Sequence, residues 1–148
     1  QELISFPAGQ AGPSQGGRMT DQPFVVPYGD LPLEGEAHDG QLTWQTLISA
    51  DRTPSSGLVV GVADFPPGGH LEFHRHEPAE FYFCLAGSAT VYADDKVMQL
   101  TPNVAAYIPA GAEHAIRAGA EGMRLLYGFA RDRFSSIDYD YTGLPVAE

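Results

Sequence analysis

The sequence predicts an all-β protein, a sandwich or barrel of short strands, and three observations carry that prediction. Runs of β-branched and aromatic residues recur between clusters of Gly, Pro, Asn and Asp. No stretch shows a sustained helical period of apolar residues. The pair His74 and His76 converges only on extended chain, because residues two apart share one face of a strand, about 7 Å apart, and diverge on a helix.

Taken in order, the chain opens with Gln1 to Gly17, rich in Gly, Gln, Pro and Ser, which carries little to bury. Residues 1–18 are therefore expected to form a flexible or partner-dependent arm, in which Leu3 to Phe6 could add a strand to a neighbouring subunit, and Met19 could be an original start. The folded domain is expected over 19–148. Its strands are predicted at Leu42 to Ser49, Leu58 to Phe65, Leu71 to His76, Phe81 to Ala86, Ala89 to Ala93, Val97 to Leu100, Val104 to Ile108, His114 to Arg117 and Met123 to Phe129. Phe65-Pro66-Pro67-Gly68-Gly69 is strong turn chemistry before the third strand, and Glu77-Pro78-Ala79 turns the chain before the fourth. Asp94-Asp95 suits a hairpin. In the fourth strand Glu80, Tyr82 and Cys84 share one face, and Phe81, Phe83 and Leu85 share the other.

At 148 residues and 43% hydrophobic content the chain supports one domain with a real core and not two. Nineteen acidic residues oppose eight basic ones, a formal charge of −11. That balance excludes nucleic acid as a partner, since phosphate neutralisation needs a basic patch, and it mildly favours a cationic substrate. No basic start with an apolar run marks a secretory signal, and no apolar stretch is long enough to span a bilayer. The single Cys84 cannot form an internal disulfide, which suits a reducing cytoplasm, and its inward parity makes it a buried small hydrophobe.

Three of five histidines, with one carboxylate, stand where one metal ion could be held: His74, His76, Glu80 and His114. Imidazole and carboxylate suit a borderline divalent metal, and His114 arrives after a second turn signal at Pro109-Ala110-Gly111. His38 reads as loop. His70 shares strand parity with His74 and could line the mouth of the same cavity, although a surface position is the expectation.

These residues resemble the cupin superfamily. Gly68, His74, His76, Glu80 and Gly87 satisfy its first motif, and Pro109, Gly111 and His114 fit its second. Asn103 stands where that motif has Gly, and Ala118 where it has Asn. The resemblance runs from about Trp44 to Phe129. It implies a single cupin barrel (a double-stranded β-helix, or jelly roll) with His74, His76, Glu80 and His114 as ligands, and a position left open for substrate. Iron(II) is the expected ion, with manganese, nickel, zinc and copper as alternatives.

Tyr82, Tyr107 and Tyr139 are the tyrosines to weigh, because a nearby divalent cation favours the phenolate and so a base. Against this, barrel tyrosines mostly fill the core. Glu80-x-Tyr82, with Arg124 to Phe129 and Phe134 to Tyr139, resembles small single-domain cupins that include dimethylsulfoniopropionate lyases. That resemblance implies a metal-dependent lyase on a small carboxylate, with Tyr82 as base and Tyr139 a second tyrosine at the site. A cupin dioxygenase using iron or copper, or a non-catalytic binder of a small acid, are the alternatives. The apolar face of Phe81, Phe83 and Leu85 must be covered by a second sheet or another subunit, and a homodimer is expected.

Overall fold

The computed structural model describes residues 20–148, so the arm expected over 1–18, its Leu3 to Phe6 strand and Met19 lie outside the described residues. Eight strands follow: β1 (Thr43–Ile48), β2 (Val59–Phe65), β3 (His70–Arg75), β4 (Glu80–Ala93), β5 (Lys96–Leu100), β6 (Ala105–Ile108), β7 (His114–Phe129) and β8 (Asp140–Tyr141), with one turn of 3₁₀ helix at Phe134–Ser136 before the last. The prediction of an all-β chain holds. Two pairs of predicted strands are each one long strand, β4 and β7, which run antiparallel to each other along most of their length.

The two long strands organise the barrel. The first half of β4 pairs with β6 and with the second half of β7, which continues to β2 and β1. The second half of β4 pairs with β5 and with the first half of β7, which continues to β3 and β8. Each long strand thus passes from one layer to the other, and the crossing is where its register shifts, between Cys84 and Ala86 and between Gly87 and Ala89. Gly87 and Gly122 make the bend, both with φ of 75°. A Cβ on Gly87 would stand 2.1 Å from the Gly122 carbonyl oxygen. Gly87→Ala is therefore expected to cost more than about 2 kcal/mol, from left-handed backbone and a clash with main chain, read as a lower urea midpoint.

Local chemistry accounts for the remaining departures. β3 starts one residue earlier than predicted and ends before His76, which lies in the corner, and β6 begins after Val104. The Asp94-Asp95 hairpin forms, Asp94 taking positive φ between Ala93 and its partner Lys96. Asn103, where the cupin motif has Gly, has φ of 71°, a region Asn enters more readily than most residues, so the substitution keeps the turn.

The core lies between the layers. Val59 and Phe65 of β2, Val91 of β4, Ile108 of β6, and Ile116, Leu125 and Phe129 of β7 are buried there. Burying one such side chain contributes roughly 1.5–3 kcal/mol, so the barrel has an apolar core that does not depend on a metal. Cys84 is free and buried, as its parity predicted, and burial pushes its thiol pKa up. The second sheet does not fully cover the outer face: Phe81 is 38%, Leu85 42% and neighbouring Tyr107 68% exposed.

Candidate metal centre

One end of the barrel gathers the four predicted ligands. His74 in β3 stands opposite His114 at the start of β7. His76 lies in the corner after β3, and Glu80 opens β4 in register with Phe129 and Ile108. All four side chains are buried. One ring nitrogen from each histidine lies within 4.8 Å of the others. Glu80 Oε1 is 3.2 Å from His76 Nε2 and 3.4 Å from His114 Nε2.

The orientation of the rings is set by backbone. His74 Nδ1 bonds the Glu72 carbonyl at 2.7 Å, His76 Nδ1 the Pro78 carbonyl at 2.9 Å, and His114 Nδ1 the Ala112 carbonyl at 2.8 Å. A carbonyl oxygen only accepts, so each Nδ1 carries a proton and each ring turns its Nε2 inward. His74 Nε2 and His114 Nε2 are buried with no hydrogen-bond partner. For His74, burial, then the proximity of His114, pushes the ring pKa down to about 3, so that ring stays neutral. Burial also works to raise the Glu80 pKa, but its contacts with His114 and His76 outweigh burial and hold it at about 2. Lone pairs and a carboxylate converging in a dry site are what a divalent cation satisfies, so these residues fit a metal ion.

Both shifts have the same consequence for stability. Below pH 6.5 the unfolded chain protonates His74 while the folded chain does not, and below pH 4.5 the same holds for Glu80. The unfolded state then binds more protons, so stability falls as pH falls from about 6.5 towards 2. Metal-free protein is expected to melt at lower temperature at pH 5 than at pH 7, measured by circular dichroism; an unchanged midpoint would contradict it.

The tyrosines separate clearly. Tyr82 is buried two residues along β4 from Glu80, its ring 6.3 Å from that of His114, and its hydroxyl makes no hydrogen bond of ordinary geometry. Tyr139 is drawn from the tail and stacks on His74, with centroids 4.8 Å apart and planes 5° apart. Burial, then Glu80, raises both phenol pKa values well above 10. Tyr107 is on the outside. His70 bonds Gln41 and Glu72, half-buried rather than on an open surface, because the register shift between Leu71 and His74 breaks the parity it would share with His74. His38 sits beside Glu36 and Asp39, and neither histidine joins the cluster.

A narrow cavity of about 30 Å³ lies behind the site, walled by Glu80, Tyr82, Trp44, Tyr127, Phe134 and Tyr139 among others. Trp44 Nε1 and the Tyr127 hydroxyl are also buried without partners. Neither residue was singled out from the sequence. Tyr127 carried a usable signal: it has the inward parity of Leu125 and Phe129 and stands directly opposite Tyr82. Trp44, on the first strand, carried none, and Phe134, on the 3₁₀ turn, stood only within the resemblance over Phe134 to Tyr139.

The cupin domain family matches residues 61–128. Dimethylsulfoniopropionate lyase DddW of Ruegeria pomeroyi is 39% identical over 130 residues, covering 86% of this chain and 86% of that protein. Quercetin 2,3-dioxygenase of Bacillus subtilis is 30% identical over 107 residues, 68% of this chain and 32% of that enzyme. Among solved structures, a mutant of Bacillus subtilis oxalate decarboxylase OxdC superposes with a TM-score of 0.66 at 25% identity, covering 79% of this chain and 33% of that one. The chain spans about a third of the length of these last two. Among the described residues no helix is long and apolar enough to cross a membrane.

Proposed function

The chain belongs to the cupin family, and on that premise we propose that it is a metal-dependent lyase that cleaves dimethylsulfoniopropionate, or a similar small carboxylate, by β-elimination. The observation that carries this reading is the partnerless phenol of Tyr82, buried beside a convergence of three imidazole lone pairs and a carboxylate. Similarity to a lyase of that substrate along 86% of both chains supports the reaction class.

His74, His76, Glu80 and His114 would hold the ion. Iron(II) is our first choice, and a divalent ion bound there supplies Lewis acidity towards a substrate carboxylate and the positive charge that draws Tyr82 towards phenolate. Tyr82 takes the proton from the carbon next to the carboxylate. The electron pair forms the carbon–carbon double bond, the carbon–sulfur bond breaks, and dimethyl sulfide leaves with acrylate remaining. Tyr139 covers the His74 ring, and the apolar walls of Leu125 and Ile116 exclude water from the proton transfer.

Metal analysis followed by a headspace assay tests the proposal. Release of dimethyl sulfide that is abolished by chelation supports it, and no release from fully metallated protein rejects it. The dioxygenase reading, favoured by the likeness to quercetin 2,3-dioxygenase, would then be tested by substrate-dependent oxygen uptake. We also propose a cytoplasmic homodimer, supported by the lone buried Cys84 and by the exposed apolar Phe81, Leu85 and Tyr107. Light scattering that returns the mass of one chain would reject the dimer.

A further inference from the structure

We infer that Tyr127, Thr46 and Glu34 form a proton wire from the inner cavity to the protein surface, the path by which the proton taken from substrate is released. The inference rests on the lyase reading for the proton that enters the wire, and on the fold alone for its path. Register places that path in one row across four strands: Tyr82 of β4 stands opposite Tyr127 of β7, Tyr127 opposite Gly61 of β2, and Gly61 opposite Thr46 of β1. Gly61 opens the row. A Cβ there would meet the Tyr127 hydroxyl oxygen at 2.2 Å, so the missing side chain is what lets the phenol lie across β2 towards β1. The Thr46 side chain is buried, and its hydroxyl donates to Glu34 Oε2 at 2.7 Å. Arg52 holds the same oxygen at 3.3 Å, and the Glu34 side chain, 30% exposed, borders a wide recess on the surface.

Both junctions of the wire have a physical basis. Burial raises the Tyr127 pKa and the Thr46 hydroxyl beside it works against that rise, so the two are neighbours although no hydrogen bond of ordinary geometry joins them. At the inner end, Tyr82, Tyr127 and Trp44 each bring a buried, partnerless polar atom to the wall of the cavity, whose volume of about 30 Å³ has room for a water molecule. One water bonded to both phenols, with Trp44 Nε1 as a further donor, joins Tyr82 to the wire. It is a single bound molecule, distinct from the bulk water that Leu125 and Ile116 keep out. After elimination Tyr82 passes a proton to this water, the water one of its own to Tyr127, Tyr127 its proton to Thr46, and Thr46 its proton to the Glu34 carboxylate, which loses it to solvent. One proton leaves, no electron moves, and Tyr82 is again a base.

Zinc-loaded protein with carbon-13 at the tyrosine ζ positions gives a readout that needs no turnover. In an equal mixture of light and heavy water, a ζ carbon shows separate lines for its protonated and deuterated hydroxyl when exchange with solvent is slow, and one averaged line when it is fast. Tyr127, assigned by the signal lost in Tyr127→Phe, is expected to show one line in the unaltered protein and in Thr46→Ser. Thr46→Val, of the same shape without the hydroxyl, is expected to show two, its exchange slowed about tenfold or more. Two lines in the unaltered protein, or one in Thr46→Val, would overturn the wire. In turnover of dimethylsulfoniopropionate, Thr46→Val should release the first dimethyl sulfide per site at the unaltered rate and later ones about tenfold more slowly, with added imidazole restoring the difference. A first turnover slowed as much as the later ones would also overturn it. Failure of the lyase reading looks different: no dimethyl sulfide from any of these proteins, with the exchange difference between unaltered protein and Thr46→Val intact.

Discussion

His76→Ala is expected to leave a folded barrel that no longer retains its metal. The His76 ring supplies one of three inward Nε2 lone pairs, and its Nε2 lies nearest the Glu80 carboxylate at 3.2 Å. Without it, His74, His114 and Glu80 remain, one donor short of the four that converge. Bound metal should fall at least tenfold, to about a tenth of an ion per chain or less, by elemental analysis. Folding is expected to survive because the core residues Val59, Val91, Ile116 and Leu125 are untouched. His38→Ala, outside the cluster, should keep full metal content. Equal metal in His76→Ala and in the unaltered protein would place the ion elsewhere.

Tyr82→Phe should do the reverse, keeping metal and losing turnover. If Tyr82 is the base, removing its hydroxyl takes away proton transfer and lowers kcat by about 10²- to 10⁴-fold. Stability gives an independent reading. The hydroxyl makes no hydrogen bond of ordinary geometry and lies against the Glu80 carboxylate, so deleting it removes a desolvated group at the expense of that one contact. The melting temperature of the metal-free variant should stay close to that of the unaltered protein. Tyr107→Phe, on the outer face, should change neither property. Full turnover in Tyr82→Phe would exclude Tyr82 from the chemistry.

What the sequence disclosed about the site depended on how local the determining geometry was. His74, His76 and Glu80 were legible because strand parity and one Pro-containing corner decide where they point. His114 was legible from the turn before it. The same reasoning divided β4 and β7 in two, because Gly87 and Gly122 look like breaks, whereas with positive φ they bend a continuous strand. β8 escaped notice since two polar-flanked residues, Asp140 and Tyr141, carry no pattern. Its pairing with His74 and Arg75 comes from the layer it docks on. The cavity walls were least legible, as Asp39, Trp44 and Phe134 come from separate segments that only the folded layers bring together. The parity argument for His70 failed at a single register shift, which no composition signal announces.

The three acceptors that fix the histidine tautomers are peptide oxygens, those of Glu72, Pro78 and Ala112, each two positions from its histidine. No side-chain substitution can delete a peptide oxygen. The ligand geometry is thus insulated from point mutation in a way that a carboxylate or amide side-chain acceptor would not be. Wall residues such as Trp44 and Phe134, which make no ring contact with the three imidazoles, are free to vary without loosening them. A site built this way can drift to new substrates while its grip on the ion is inherited intact, and substitutions at the walls should change specificity before they change metal affinity.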